Sequence, residues 1–177
     1  MDKTKLIDFV RPYYADKDIM HNIWHIELVE KYVRKILGMG DYSVNAEHLT
    51  FATYFHGFIY SHEDDIRAWL TEQGFPNDKI HHIVKIAHES QRAAVPETLE
   101  GKILHDAHLI EGGKAYMLTK CLITGSIRGQ SLLETINYIE TNILDRAICY
   151  LPETAELLEE ANLFTKNFLH ELKNGIS

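Results

Sequence analysis

The chain has 177 residues, 45% apolar and 25% charged, the mixture of one globular domain whose core needs neither disulfides nor a structural metal. Eighteen basic against 26 acidic side chains leave a formal charge of −8, which disfavours nucleic acid polymers and anionic membranes and favours small ligands as partners. Cys121 and Cys149 lack metal-ligand spacing and read as reduced thiols; with no apolar leader after the N-terminal Met-Asp-Lys-Thr-Lys and no apolar run of about 18 residues, the expectation is a cytoplasmic protein.

Apolar side chains recur at helical spacing along most of the chain. Ile26, Val29, Val33, Ile36 and Leu37 form a stripe that stops at Gly38 and Gly40. A second helix runs from about Asn45 to His56, with Leu49, Ala52, Thr53 and His56 on one side. A third aligns Ile66, Trp69 and Leu70 and ends at Gly74, and Asn77 can cap a fourth carrying Ile80, Ile83, Val84 and Ala87. Pro96 and Thr98 open a fifth, in which Ile103, Asp106, Ala107 and Ile110 share a face up to Gly112 and Gly113. Met117, Leu118, Cys121 and Leu122 suggest a further helix, and Ser131 with Glu134 has the form of a capping box. Pro152 suits the first turn of a last helix that turns Leu157, Ala161, Phe164, Phe168 and Leu172 to the core. No segment alternates as a strand does, so the sequence predicts one all-α domain over residues 1–177, a bundle of about seven to nine helices.

Eleven histidines are the unusual feature of the composition. His21 and His25, four apart, share a helical face and can serve one site. His56 ends an apolar segment, and Asp106 sits among Ile103, Ala107 and Ile110, so both need polar partners if buried. A buried carboxylate beside imidazoles suits a divalent cation. The competing reading makes His21 and His25 flanks of a helix end, His56 a hydrogen-bonded core histidine, and Asp106 an acceptor of backbone hydrogen bonds.

Three segments carry a family resemblance. His21-Asn22-Ile23-Trp24-His25 looks like an opening His-Asp-x-x-His with Asn22 in place of the acid. Tyr54-Phe55-His56-Gly57 looks like a helix ending in a His-Asp doublet, with Gly57 in place of the aspartate. Ile103-Leu104-His105-Asp106-Ala107-His108-Leu109 is similar to an Asp-Ala-Asp segment with His108 at the second acid. In these, residues about 15–115 resemble the HD superfamily of metal-dependent phosphohydrolases, followed by a helical extension over about 116–174. The resemblance implies His25, His56 and Asp106 as ligands of a divalent ion, one of Mn, Fe, Ni, Co, Zn or Mg. It also places His88 near an additional histidine that binds substrate or a second metal. The implied function is a metal-dependent phosphohydrolase of a small phosphorylated compound such as a nucleotide or phosphoester. A homo-oligomer stays open.

Two histidines and one carboxylate form a competent set with open coordination positions. Gly57 cannot supply the missing ligand: it either ends its helix in the left-handed conformation or marks a rebuilt site. A substitute could come from the following loop, His62, Glu63, Asp64 and Asp65, unless these acids simply complement a helix N-terminus. Candidate phosphate-binding groups are Arg92, Lys102, Lys114 and Arg128, the last in a loop with two glycines, together with His21. His81 and His82 read as exposed, and His105 and His108 point to other helical faces than Asp106 and are not expected to be ligands. The alternative function is a catalytically silent HD-fold protein that binds a ligand or partner. An iron oxygenase of the same fold is disfavoured because that branch keeps the doublet's aspartate.

Overall fold

The computed structural model describes residues 3–176. Among them are nine α-helices, one π-helical turn and no strand: α1 (Lys3–Ala15), α2 (Ile23–Leu37), α3 (Ala46–Phe55), α4 (Ile59–Glu72), α5 (Asn77–Glu89), α6 (Leu99–Ile110), α7 (Gly113–Ile127), α8 (Leu132–Tyr138), the π-turn (Ile139–Ile143) and α9 (Pro152–Ile176). No described helix is long and apolar enough to cross a membrane.

The expected stripes build the main core. Helix α2 packs on α6, α3 on α5, and α5 on both α4 and α6, burying Ile26, Val29, Ile36, Leu49, Ile83 and Ile103. The periodicity overlooked α1, which joins this core through Leu6, Val10 and Tyr14, a row at four-residue spacing, while Pro12 lies on its exposed side. A second cluster, Leu118, Ile136, Ile139, Leu144 and Leu169, gathers α7, α8, the π-turn and α9. Helix α9 spans both, with Leu158 in the first and Leu169 in the second.

Side chains close the N-terminal ends of α2, α3, α6 and α8. Asn22, Asn45, Thr98 and Ser131 each accept an N–H of the first turn, and Ser131 with Glu134 forms the expected capping box. Asn77 does not cap; it is the first residue of α5, behind Pro76. Two buried carboxylates do the same work from a distance. Glu89, ending α5, accepts the N–H groups of Glu97 and Thr98, each at 3.2 Å, and the Thr98 hydroxyl, where α6 begins. Gly101 makes room for it, since a Cβ there would stand 1.8 Å from Glu89 Oε2. Asp106, fully buried on α6, accepts the N–H groups of Tyr150 and Leu151, each at 2.9 Å, and the Thr154 hydroxyl, where α9 begins. A carboxylate suits both places because a helix start presents unpaired N–H groups and positive potential.

Candidate metal centre

Three histidines from three helices meet at one point. His25 lies near the start of α2, His56 at the C-cap of α3, and His108 on α6. One ring nitrogen of each lies within 4.8 Å of the other two, and the ring centroids are 4.9 to 5.4 Å apart. An oxygen acceptor engages Nδ1 of every ring. His56 donates to the Thr53 carbonyl at 2.6 Å, His25 to Glu111 Oε2 at 2.6 Å, and His108 to the Ser90 carbonyl at 3.4 Å. These bonds fix the proton on Nδ1 and leave Nε2 with a free lone pair. His56 Nε2 is buried and has no hydrogen-bond partner.

Burial is the main cause that holds the rings neutral. It pushes His56 down to about 3, with the neighbouring His25 adding to the effect. It pushes His25 to about 2, assisted by the Lys120, His21 and Lys17 charges, and His108 also falls well below the ordinary range. Glu111, the partner of His25, is buried too; that raises its carboxyl, against the opposing pull of Lys120, whose Nζ contacts Oε1. A carboxylate behind a histidine orients the ring and strengthens it as a ligand. Three neutral imidazoles with an orphaned lone pair among them fit a borderline divalent ion and leave further coordination positions open.

The expected ligand set therefore needs correction at Asp106, which is not among the converging residues. Asp106 and His108 are two residues apart, about 200° around a helix, so they face nearly opposite ways. The structure turns Asp106 to the start of α9, as the competing sequence reading had it, and His108 to the cluster. The expectation that His108 points away from the site is likewise overturned.

Gly57 is not in the left-handed conformation; the described glycines with positive φ are Gly74, Gly112, Gly113 and Gly129. Its missing side chain instead admits Tyr14, whose hydroxyl would lie 2.6 Å from a Cβ at Gly57. That hydroxyl accepts the Gly57 N–H at 3.2 Å and donates to the Tyr54 carbonyl at 2.9 Å, and Lys17 Nζ donates to the Gly57 carbonyl. A phenol thus stands where a side chain at position 57 would project, and the Lys17 ammonium holds the backbone carbonyl of the same residue.

The other candidates separate. Residues His62 to Asp65 belong to α4, kinked at His62, and line a hollow of their own, so they supply no fourth ligand. His62 bonds Asp65 at 3.1 Å, and Glu63 bonds Arg67 and His88, both at 2.7 Å, which removes His88 from the cluster. His81 is exposed as expected, but His82 is half-buried, 2.8 Å from His48 across their Nδ1 atoms. His105 donates to Asp106 at 3.2 Å. Around the cluster lies a cavity of about 220 Å³ whose wall includes Tyr14, Lys17, His21 and Gln91. An adjoining cavity of about 240 Å³ shares His21 and His108 and adds Arg92, Lys120, Thr124 and Arg128. Arg92, Arg128 and His21 are therefore beside the centre, whereas Lys114 lines a separate cavity and reaches over the Phe164 ring. Sequence reasoning missed Tyr14, Lys17, Gln91, His108, Glu111 and Lys120. The spacing of His108 and Glu111, one helical turn apart at the end of α6, is the signal that was there to find.

No family model and no curated protein matches the sequence. Solved structures do. The crystal structure of Bacillus subtilis YpgQ in complex with ADP aligns with a TM-score of 0.76 at 16% identity, covering 96% of this chain and 97% of that one. A second YpgQ crystal structure aligns with a TM-score of 0.76 at 17% identity over 99% and 98% of the two chains, and a selenomethionine form with 0.75 at 16% over 99% and 96%. The chain is similar to YpgQ in fold over nearly its whole length, an all-α arrangement.

Proposed function

We propose that the chain, acting as one domain, is a metal-dependent hydrolase of a small phosphorylated compound, with nucleotides as the favoured class. One observation carries the reading: three buried imidazoles, each with Nδ1 bonded to an oxygen, bring ring nitrogens within 4.8 Å of one another. Nucleotides are favoured because the similar YpgQ was crystallised with ADP. His25, His56 and His108 would hold a divalent ion, which when bound supplies a Lewis acid and a water of lowered pKa. The chain's own groups do the rest. Glu111 keeps the His25 ring in place from behind, and Lys120 bonds Glu111 and opposes the effect of its burial. Lys17, Arg92, Lys120 and Arg128 concentrate positive charge beside the centre, which a phosphate needs in a chain of net charge −8. His21, bonded to Asp18 at 2.8 Å and present in the walls of both cavities, is the side chain placed to carry a proton to or from the leaving group.

Lys17, an ammonium in the wall of the cavity at the cluster, favours a second reading, a metal-free protein that binds an anionic ligand. Metal analysis of protein purified without chelator, with a phosphoester panel assayed in several divalent metals, decides between them. The proposal expects about one ion per chain, lost in His108→Ala together with hydrolysis. Absence of metal and of hydrolysis in the wild type overturns it in favour of the binding role.

A further inference from the structure

Beyond the cationic cavity the molecule opens a third hollow, of about 160 Å³. The two share Arg92, His108, Lys120, Cys121 and Ile143, and His108 also lines the cavity of the histidine cluster, so the three spaces adjoin one another around that ring. The character of the walls changes from one space to the next. The hollow is lined by Leu109, Met117, Ala147 and Leu158, with Glu111 and Lys120 paired at one side and Asn162 from α9 at another. No described residue hydrogen-bonds the Asn162 amide, although it borders apolar surface. Thr124 Oγ1 in the cationic cavity is buried and without a partner.

We propose that the hollow receives the base of a nucleotide whose phosphates lie along Arg92, Lys120 and Arg128, and that the Asn162 amide reads the edge of that base. The proposal rests on the phosphoester reading given above. A dry apolar cavity of about 150 Å³ accommodates one benzene ring, so the hollow takes one ring of a purine while the other extends toward the adjoining cavity. Leu109, Met117 and Leu158 offer flat apolar contact to the ring faces. The amide selects a heterocycle over an alkyl or phenyl group, because an apolar guest would leave the amide's donor and acceptor desolvated and unpaired. An amide pairs with an adjacent donor and acceptor on a base edge, as asparagine does with adenine. Arg92 stands at the junction, where its Nη2 donates to the Asn142 carbonyl at 2.7 Å and so holds the guanidinium between base and phosphates. Thr124 offers a hydroxyl to the sugar or the bridging oxygen.

The test uses ligands that cannot be hydrolysed: methylenediphosphonate, which has no base, and the α,β-methylene analogues of ADP and GDP, titrated by calorimetry into the whole protein. The adenosine analogue is expected to bind at least about tenfold more tightly than methylenediphosphonate. Ala147→Phe fills the hollow and should erase that advantage while leaving methylenediphosphonate unchanged. Asn162→Asp replaces a donor with an acceptor and should move the preference toward guanine, which presents two adjacent donors. Asn162 is half-buried, so this variant carries the test if Ala147→Phe does not fold. Equal binding of the adenosine analogue and methylenediphosphonate by the wild type overturns the proposal and leaves the phosphate reading standing. So does an unchanged ratio of the two nucleotide analogues in Asn162→Asp. Failure of methylenediphosphonate itself to bind overturns the phosphate reading from which the proposal starts.

Discussion

Replacing Asp106 with asparagine separates a structural carboxylate from a metal ligand. In the native protein Oδ2 accepts from Leu151 N–H at 2.9 Å and from the Thr154 hydroxyl, the Tyr150 N–H lies 3.0 and 2.9 Å from the two oxygens, and His105 Nδ1 is 3.2 Å from Oδ1. Asparagine keeps one oxygen and puts an NH₂ in place of the other, so at least one donor faces a donor. Loss of a charge-assisted hydrogen bond costs about 1.5–3 kcal/mol, and the stranded buried donor costs roughly 1–3 kcal/mol more. The sum is about 2.5–6 kcal/mol, a large share of the 5–15 kcal/mol typical of a whole domain. Urea unfolding followed by far-ultraviolet circular dichroism reads it as a fall in midpoint, with metal bound per folded molecule measured on the same preparation. The expected result is a strongly destabilised protein whose folded fraction binds metal as the wild type does. A stability loss below about 1 kcal/mol, or metal lost at unchanged stability, would refute the assignment of Asp106 to the α9 junction.

Gly57→Ala places a Cβ 2.6 Å from the Tyr14 hydroxyl, an overpacking expected to cost about 1–3 kcal/mol. In a Tyr14→Ala background the same change should cost less than about 0.5 kcal/mol, and a thermodynamic cycle showing no coupling contradicts the contact. For pH, His25 and His56 titrate at about 2 and about 3 when folded against an ordinary 6.5, and His108 is likewise depressed, so the unfolded chain binds more protons in acid. Their stabilising contribution is complete above pH 6.5 and falls as the pH drops toward the folded values, by up to about 1.4 kcal/mol per pH unit for each ring. Urea midpoints of the metal-free protein between about pH 7 and 5 should decline accordingly; a flat profile means the rings are not buried neutral.

The helices were legible wherever one face is apolar and the other is not, as in α2 and α5, because the stripe then has a single phase. Helix α1 escaped notice because only Leu6, Val10 and Tyr14 mark its buried row, with Pro12 interrupting the pattern. His25 and His56 were found as polar breaks in apolar faces. His108 was not, because α6 buries residues on nearly every side, Gly101, Ile103 through Ala107 and Ile110 among them. A helix buried all round carries no phase to say whether Asp106 or His108 faces the cluster; packing against α2 and α9 settles that. The ring of supporting groups, Tyr14, Lys17, Glu111 and Lys120, comes from sequence separations such as the 86 residues between His25 and Glu111, which no local pattern encodes.

Helix α6 sets a length. Asp106 fastens the start of α9, the element that bears Leu158 and Asn162, while His108, about 3 Å further along the same axis, faces the histidine cluster. The cluster and the α9 wall of the hollow are thus referenced to one rigid rod of backbone hydrogen bonds. The span between them behaves as a gauge block, fixed in the chain's covalent geometry. On the nucleotide proposal above, a ligand that bridges it would be selected by reach.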